Sequence, residues 1–342
     1  MKTIWKELAV CTLLGIVLPG AMMQITSRIR AQNVEKVQAV AETAPETMEP
    51  LTGNPRIPVL MEDGSVKDMD MEEYLVGVVL AEMPADFEGE ALKAQAVAAR
   101  TYAAKAHLQG GKHGDGSVCT DYRCCQAYIP ESEYLSSGGS QLGIRKVRTA
   151  VEETEGQVLT YNGELIEATY FSCSGGTTED AQAVWGAEFP YLKSVESPGE
   201  EDSQFYETTV TFPKERVETL LGLELSENPM EWIGEVKKTP GNGVATIEIG
   251  GRIFKGTELR TLLGLRSTAF TAFADDRGLT VDTRGYGHRV GMSQYGADAM
   301  AVLGKQYDEI LSHYYRGTEL SHYQPPEGEF TEVSQETGLQ TD

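Results

Sequence analysis

Apolar and polar positions change period several times along this chain, and each change marks an element. From Tyr74 to Ala81 the residues are apolar nearly all round, the pattern of a helix buried on every side. Asp70, with Glu73 three residues on, reads as a capping box, and Pro84 disfavours helical geometry at Met83. The spacing therefore predicts a helix over 70–83. An alanine-rich helix is expected over 90–108, and further helical periods fall at 214–221, 257–263, 293–303 and 307–315. Hairpin patterns lie between them. Residues 57–60 and Val66 flank Glu62-Asp63-Gly64-Ser65, residues 157–161 and 164–171 flank Asn162-Gly163, and 244–249 and 252–254 flank Gly250-Gly251. Helices and hairpins in blocks, without regular strand–helix alternation, argue for an α+β fold, with its mixed elements around an extended cleft.

The two ends of the chain follow a different pattern. Residues 8–25 are mostly apolar and uncharged, near the lower length limit for a membrane-spanning helix. Gly15, Pro19 and Gly20 weaken that helix, so a signal peptide competes, although no strong Ala-x-Ala cleavage site follows. Lys2 and Lys6 on one side and Arg28 and Arg30 on the other leave the orientation open. Residues 31–55 are rich in Ala, Glu, Thr and Pro and lack aromatics, as a flexible tether would be, and 325–342 reads as a disordered tail. The expected division is an N-terminal membrane anchor at 1–27, a tether at 28–56, a folded domain at 57–324 and the tail at 325–342. An auxiliary lobe is expected at 205–265, after the acidic run Glu200-Glu201-Asp202.

Charge narrows the partners. The formal net charge is -23 at pH 7, with no basic stripe to offset repulsion from phosphates, so nucleic acid is excluded. Against that background a few residues carry candidate chemistry. Glu82 lies three and four residues after Val79 and Val78, on their inward face and at the negative end of the helix dipole. Burial and dipole both favour the protonated carboxyl that a general acid needs. The competing role is a structural acid paired with Lys93 or Arg100. Those two cations sit seven residues apart on one face of the second helix, with Ala96 and Val97 between them. They either approach a ligand or reach out of a tightly packed core to water.

Cys119, Cys124 and Cys125 crowd into one glycine-rich loop with His113, while Cys11 and Cys173 stand apart. Thiolate and imidazole are zinc's preferred ligands, and a mostly thiolate site is the closed, structural kind. The alternative is a disulfide from Cys119 to Cys124 or Cys125, which leaves one thiol unexplained. Ser174-Gly175-Gly176 is either an ordinary turn or a turn that brings backbone N–H groups to a sugar. Residues 285–296 form a glycine-dense loop leading into a helix, with Ser293 as candidate N-cap. Trp185 is a core tryptophan or a stacking platform.

These residues carry a resemblance. Glu73 to Val79, Ala81-Glu82-Met83-Pro84, Ala91 to Ala103, Ser174-Gly175-Gly176, Val184-Trp185-Gly186, Gly287 to Ala297 and Ile310 to Leu320 are similar, in that order, to the SpoIID family of sporulation and cell-wall proteins. The resemblance implies a peptidoglycan lytic transglycosylase with one catalytic acid, Glu82, and with Lys93 and Arg100 in the site. A second carboxylate is then dispensable, because the C6 hydroxyl of the muramic acid attacks the anomeric carbon and leaves a 1,6-anhydro end. It also implies a cleft-lining, substrate-binding role for Ser174, Gly175, Tyr286, His288, Ser293 and Gln294. The spacing of His113, Cys119 and Cys125, with Cys124 as a possible fourth ligand, resembles the zinc site of some members. An uncleaved anchor, a domain outside the cytoplasm, glycan strands stripped of stem peptides as substrate and a cell-wall amidase as partner follow from the same resemblance. A non-catalytic glycan-binding enhancer of an amidase, a zinc hydrolase on the His113 loop and a nucleophilic Cys173–His288 pair remain as alternatives.

Overall fold

The computed structural model describes residues 55–323. The apolar segment at 8–25, all but the last residues of the expected tether, and the tail at 325–342 lie outside the described residues. Among the described residues, no helix is long and apolar enough to cross a membrane. The architecture is a mixture of nine α-helices, counted among those residues, with several two- and three-stranded sheets.

Two helices organise the body. Helix α1 (Met71–Glu82) is capped by Asp70, whose side chain accepts from the Glu72 and Glu73 amides. It is buried from Tyr74 to Leu80, and it stops where Met83, ahead of Pro84, turns to extended geometry. Helix α2 (Gly89–Gln109) is the central rod. Alanines at 91, 94, 96, 98, 99 and 103 are fully buried, and their small size lets α1, Gln141–Glu152, Gln294–Val302, Tyr307–Tyr314 and the strand Gln157–Tyr161 all pack on it.

The hairpin Arg56–Leu60/Val66–Asp70 forms as its pattern indicates and gains a third, parallel strand, Val118–Cys119. The hairpin at Asn162-Gly163 is shorter than expected. Gln157–Tyr161 pairs with Glu164–Leu165 only, and Glu319–His322 covers its other edge. The chain then leaves that sheet, and Tyr170–Phe171 pairs in parallel with Met292–Ser293. Three helices, Glu131–Ser136, Gln141–Glu152 and Ala181–Trp185, appear where no helix was expected.

A second core lies apart from the first. Val217, Leu221, Trp232, Ile247, Phe254, Leu259, Phe270, Leu279 and Val281 pack together. They come from the sheet Ile233–Lys238/Val244–Ile249/Arg252–Lys255, the sheet Ala269–Asp275/Gly278–Arg284/Glu207–Phe212, and the helices Lys214–Leu221 and Gly256–Leu263. This lobe is tied to the body through Arg289. Its guanidinium is buried, meets Glu179 at 3.2 Å, and donates to the carbonyls of Ser174, Thr177 and Gly241. Glu179 in turn accepts from the Gly243 amide and the Thr239 hydroxyl of the lobe. Glycine is required at 241 and 243, because a Cβ at either position would overlap the Glu179 carboxylate.

Candidate functional site

A cleft of about 1010 Å³ runs along the ends of α1 and of the 285–294 loop. Glu82, the last residue of α1, stands in its wall and is half-buried. Its Oε1 accepts from the Ala127 amide at 2.8 Å, and its Oε2 accepts from the Gln294 side-chain amide at 3.4 Å. Among the described residues no cation pairs with it. Burial holds its pKa above the ordinary carboxylate value, and the two donors only partly offset that rise. Behind it runs a polar chain: the Tyr170 hydroxyl donates to Gln126 at 2.7 Å, and Gln126 donates to the Tyr74 hydroxyl at 3.2 Å. One other carboxylate, Glu167, lines the cleft, and Lys105 holds it at 2.9 Å.

The cations expected beside Glu82 are elsewhere. Lys93 bridges Glu90 at 2.7 Å and Glu153 at 2.5 Å. Arg100 is fully buried in a two-pronged pair with Glu72 and also donates to the carbonyls of Gln157 and Val151. The shared helical face is real, but acids claim both cations: Glu153 and Glu72 from other segments, and Glu90 from one turn earlier on the same helix. Lys112, Arg123 and Arg260 line the cleft in their place.

Ser174 and Gly175 are also committed internally. The amides of Ser174 (2.7 Å) and Gly175 (3.0 Å), the Ser174 hydroxyl and the Cys173 thiol all donate to the buried carboxylate of Glu200, which the Ser197 hydroxyl completes at 2.6 Å. The turn does bind a carboxylate, but one supplied by its own chain. Burial and the adjoining Glu200 push the Cys173 thiol up to about 12. Ser293 is buried and caps its helix at the Gly296 amide. Gln294 does reach the cleft, where it touches Glu82.

His288 and Tyr286 line the cleft as well. The His288 ring is enclosed by Trp185 (5.4 Å) and Phe171 (5.6 Å), and its Nδ1 accepts from the Val290 amide. Burial lowers its pKa to about 4, with Arg260 adding to the effect, so it is a neutral imidazole at physiological pH. Tyr286 is exposed and faces Phe205 at 5.3 Å. Ala127, Gln126, Tyr170, Phe205 and Arg260 carried no signal in the sequence. Ala127 acts through its backbone alone, and the others reach the cleft from segments far apart in the chain.

The loop of His113, Cys119, Cys124 and Cys125 lies at one margin, with Cys124 and Cys125 in the cleft wall. All three of these thiols are free. The four ligand atoms lie within 4.8 Å of one another. His113 Nε2 is 3.5 Å from Cys125 Sγ and 3.8 Å from Cys124 Sγ, and those two sulfurs are 3.9 Å apart. Tetrahedral zinc, with its usual bond lengths, would set sulfurs about 3.8 Å apart and sulfur about 3.6 Å from nitrogen. The donor set and its spacing fit that ion. Cys119 is held by the strand pairing Leu60↔Cys119, so the loop is anchored to the first sheet.

Comparison with known proteins gives a consistent picture. A family model described as "SpoIID: Stage II sporulation protein" matches residues 62–161. The chain is 41% identical over 294 residues to the stage II sporulation protein D of Bacillus subtilis, covering 84% of this chain and 85% of that protein. It is likewise 41% identical over 262 residues to the protein of that name from Bacillus amyloliquefaciens, covering 75% and 76% of the two chains. A more distant relative, 32% identical over 306 residues, is the amidase enhancer of Bacillus subtilis; the match covers 73% of this chain and 40% of that one.

Proposed function

The chain belongs to the SpoIID family of sporulation proteins, and we propose that it is a lytic transglycosylase that cleaves the MurNAc–GlcNAc bond of peptidoglycan strands stripped of stem peptides. The observation that carries this is Glu82: a carboxyl in a cleft wall, without a cation partner among the described residues, whose pKa burial raises. The Ala127 and Gln294 amides orient the two carboxyl oxygens, and the carboxyl gives its proton to the glycosidic oxygen. Once ionised, the same carboxylate takes the proton of the muramic C6 hydroxyl, and the strand closes on itself as a 1,6-anhydro end. Atoms balance without water. Glu167 is tied up by Lys105, which leaves one acid to serve both steps. Neutral His288, Trp185 and Tyr286 form a largely apolar wall opposite water, suited to the face of a sugar ring.

In this scheme His113, Cys119, Cys124 and Cys125 hold one structural zinc, whose contribution is to close the loop that carries Gln126 and Ala127. The domain works outside the cytoplasm, tethered to the cell membrane by the apolar segment at 8–25, and a cell-wall amidase strips the strands beforehand. The relative named an amidase enhancer favours a second reading, a glycan-binding protein that stimulates such an amidase and cleaves nothing. Incubation with peptide-free strands and mass spectrometry of the products separates the possibilities. Anhydro ends are expected. Reducing ends would mean hydrolysis, with Glu167 as the second carboxylate, and intact strands would mean binding alone.

A further inference from the structure

A second pocket, about 560 Å³, adjoins the cleft and shares Phe205, Arg260 and Tyr286 with it. It is built at the end of the lobe helix Gly256–Leu263. Gly264 turns the chain in the left-handed region, and the Leu265 amide returns to the Arg260 carbonyl at 2.9 Å. That turn brings Arg260 and Arg266 to the same pocket. Arg266 lies over the rings of Phe205 (5.6 Å) and Tyr286 (5.7 Å) and donates to the Gln204 carbonyl. Arg260 donates to the Leu265 carbonyl. Among the described residues, neither guanidinium has a carboxylate partner. The chain has 52 acids against 29 Lys and Arg, so cations left unpaired beside a cleft are available for an outside anion. Half-burial strengthens their attraction for one, since it is less screened than on the surface.

We propose that this pocket is a second sugar subsite in which Arg260 and Arg266 bind the lactyl carboxylate of a muramic acid, with Phe205 and Tyr286 as its apolar floor; this rests on the glycan-strand function above. Guanidinium pairs match a carboxylate's two oxygens. A stem peptide converts that carboxylate to an amide, which removes both the charge and one acceptor oxygen. The lobe thereby reads whether a strand has been stripped.

The test is equilibrium binding by calorimetry, using full-length Glu82→Gln protein so that no strand is consumed. The ligands are peptide-free oligosaccharides with free lactyl carboxylates and the same oligosaccharides with those groups converted to methyl amides. Tenfold or tighter binding of the free acid is expected, and added salt should weaken it. The Arg260→Gln/Arg266→Gln double variant should bind both ligands alike, and Arg260→Lys/Arg266→Lys should regain part of the preference. Equal binding of the two ligands by the parent, which needs no lobe variant, would overturn the proposal. So would a folded double variant that keeps the preference. If wild-type protein cleaves no strand but the preference persists, the transglycosylase function fails and the subsite stands.

Discussion

At the scale of single residues, Glu82 gives the most direct expectations. Burial raises its pKa in the folded state, so the fold binds that proton more tightly than the unfolded chain does. The sign follows: stability is highest while the carboxyl is protonated and declines as pH rises from the ordinary carboxylate value through the raised one. Glu82→Gln cannot ionise. Its melting temperature should match the parent's at acid pH and exceed it increasingly as pH rises, while strand cleavage drops about a hundredfold or more. Thermal melts and cleavage assays on one preparation check both, and near-normal cleavage by a well-folded variant would end the catalytic assignment. Glu82 was legible because its position depends on a single helix: the register with Val78 and Val79 and the stop at Pro84 set its direction. The ion pairs of Lys93 and Arg100 were not legible because each cation has a partner from another segment. Glu72 comes from α1 and Glu153 from the end of Gln141–Glu152. Breaking a buried pair such as Arg100–Glu72 costs on the order of 3–5 kcal/mol, so that arginine belongs to the core's stability.

At the scale of elements, caps and turns translated well and strand length did not. Asp70, Ser293, Asn162-Gly163 and Gly250-Gly251 begin or reverse elements where their side chains or backbone freedom say they should. The 164–171 run, by contrast, satisfies two sheets in turn, and only Met292–Ser293, more than a hundred residues on, ends its ambiguity. Gln141–Glu152 has a local signal of the same kind: Ser140 caps it, and Ile144, Val147 and Val151 are buried at helical spacing. The His113–Cys125 loop has its own expectation. One zinc per chain should be found by elemental analysis, and chelation should lower the melting temperature, because metal binding and folding share free energy. Cleavage should fall with it, since Ala127, two residues beyond Cys125, supplies the amide that holds Glu82. Metal-free protein with Cys119 in a disulfide would refute this.

At the scale of the molecule, two cores with one cleft beside them explain why the composition said so little about the site. The excess of acid is a property of the surface, whereas the cleft gathers Lys112, Arg123 and Arg260 from the body and the lobe. No local pattern could show that gathering. The strand pair Gly278–Arg284/Glu207–Phe212 joins segments about seventy residues apart, and through it the lobe's core closes. If the lobe reads the bared carboxylate, peptide-stripped peptidoglycan should be turned over at least tenfold faster than intact peptidoglycan, and pretreatment with an amidase should abolish the difference. Equal rates on both materials, followed by product release over time, would contradict it.

The internal carboxylate of Glu200 has a kinetic consequence. It keeps the Cys173 thiol protonated and shielded just where Cys173 and Tyr286 pair across two segments. A protonated, buried thiol does not react with alkylating reagents. Modification of Cys173 can therefore proceed only as fast as that turn lets go of Glu200. The cysteine is a built-in clock for opening of the joint at the cleft, readable by mass spectrometry in the native protein without any introduced label.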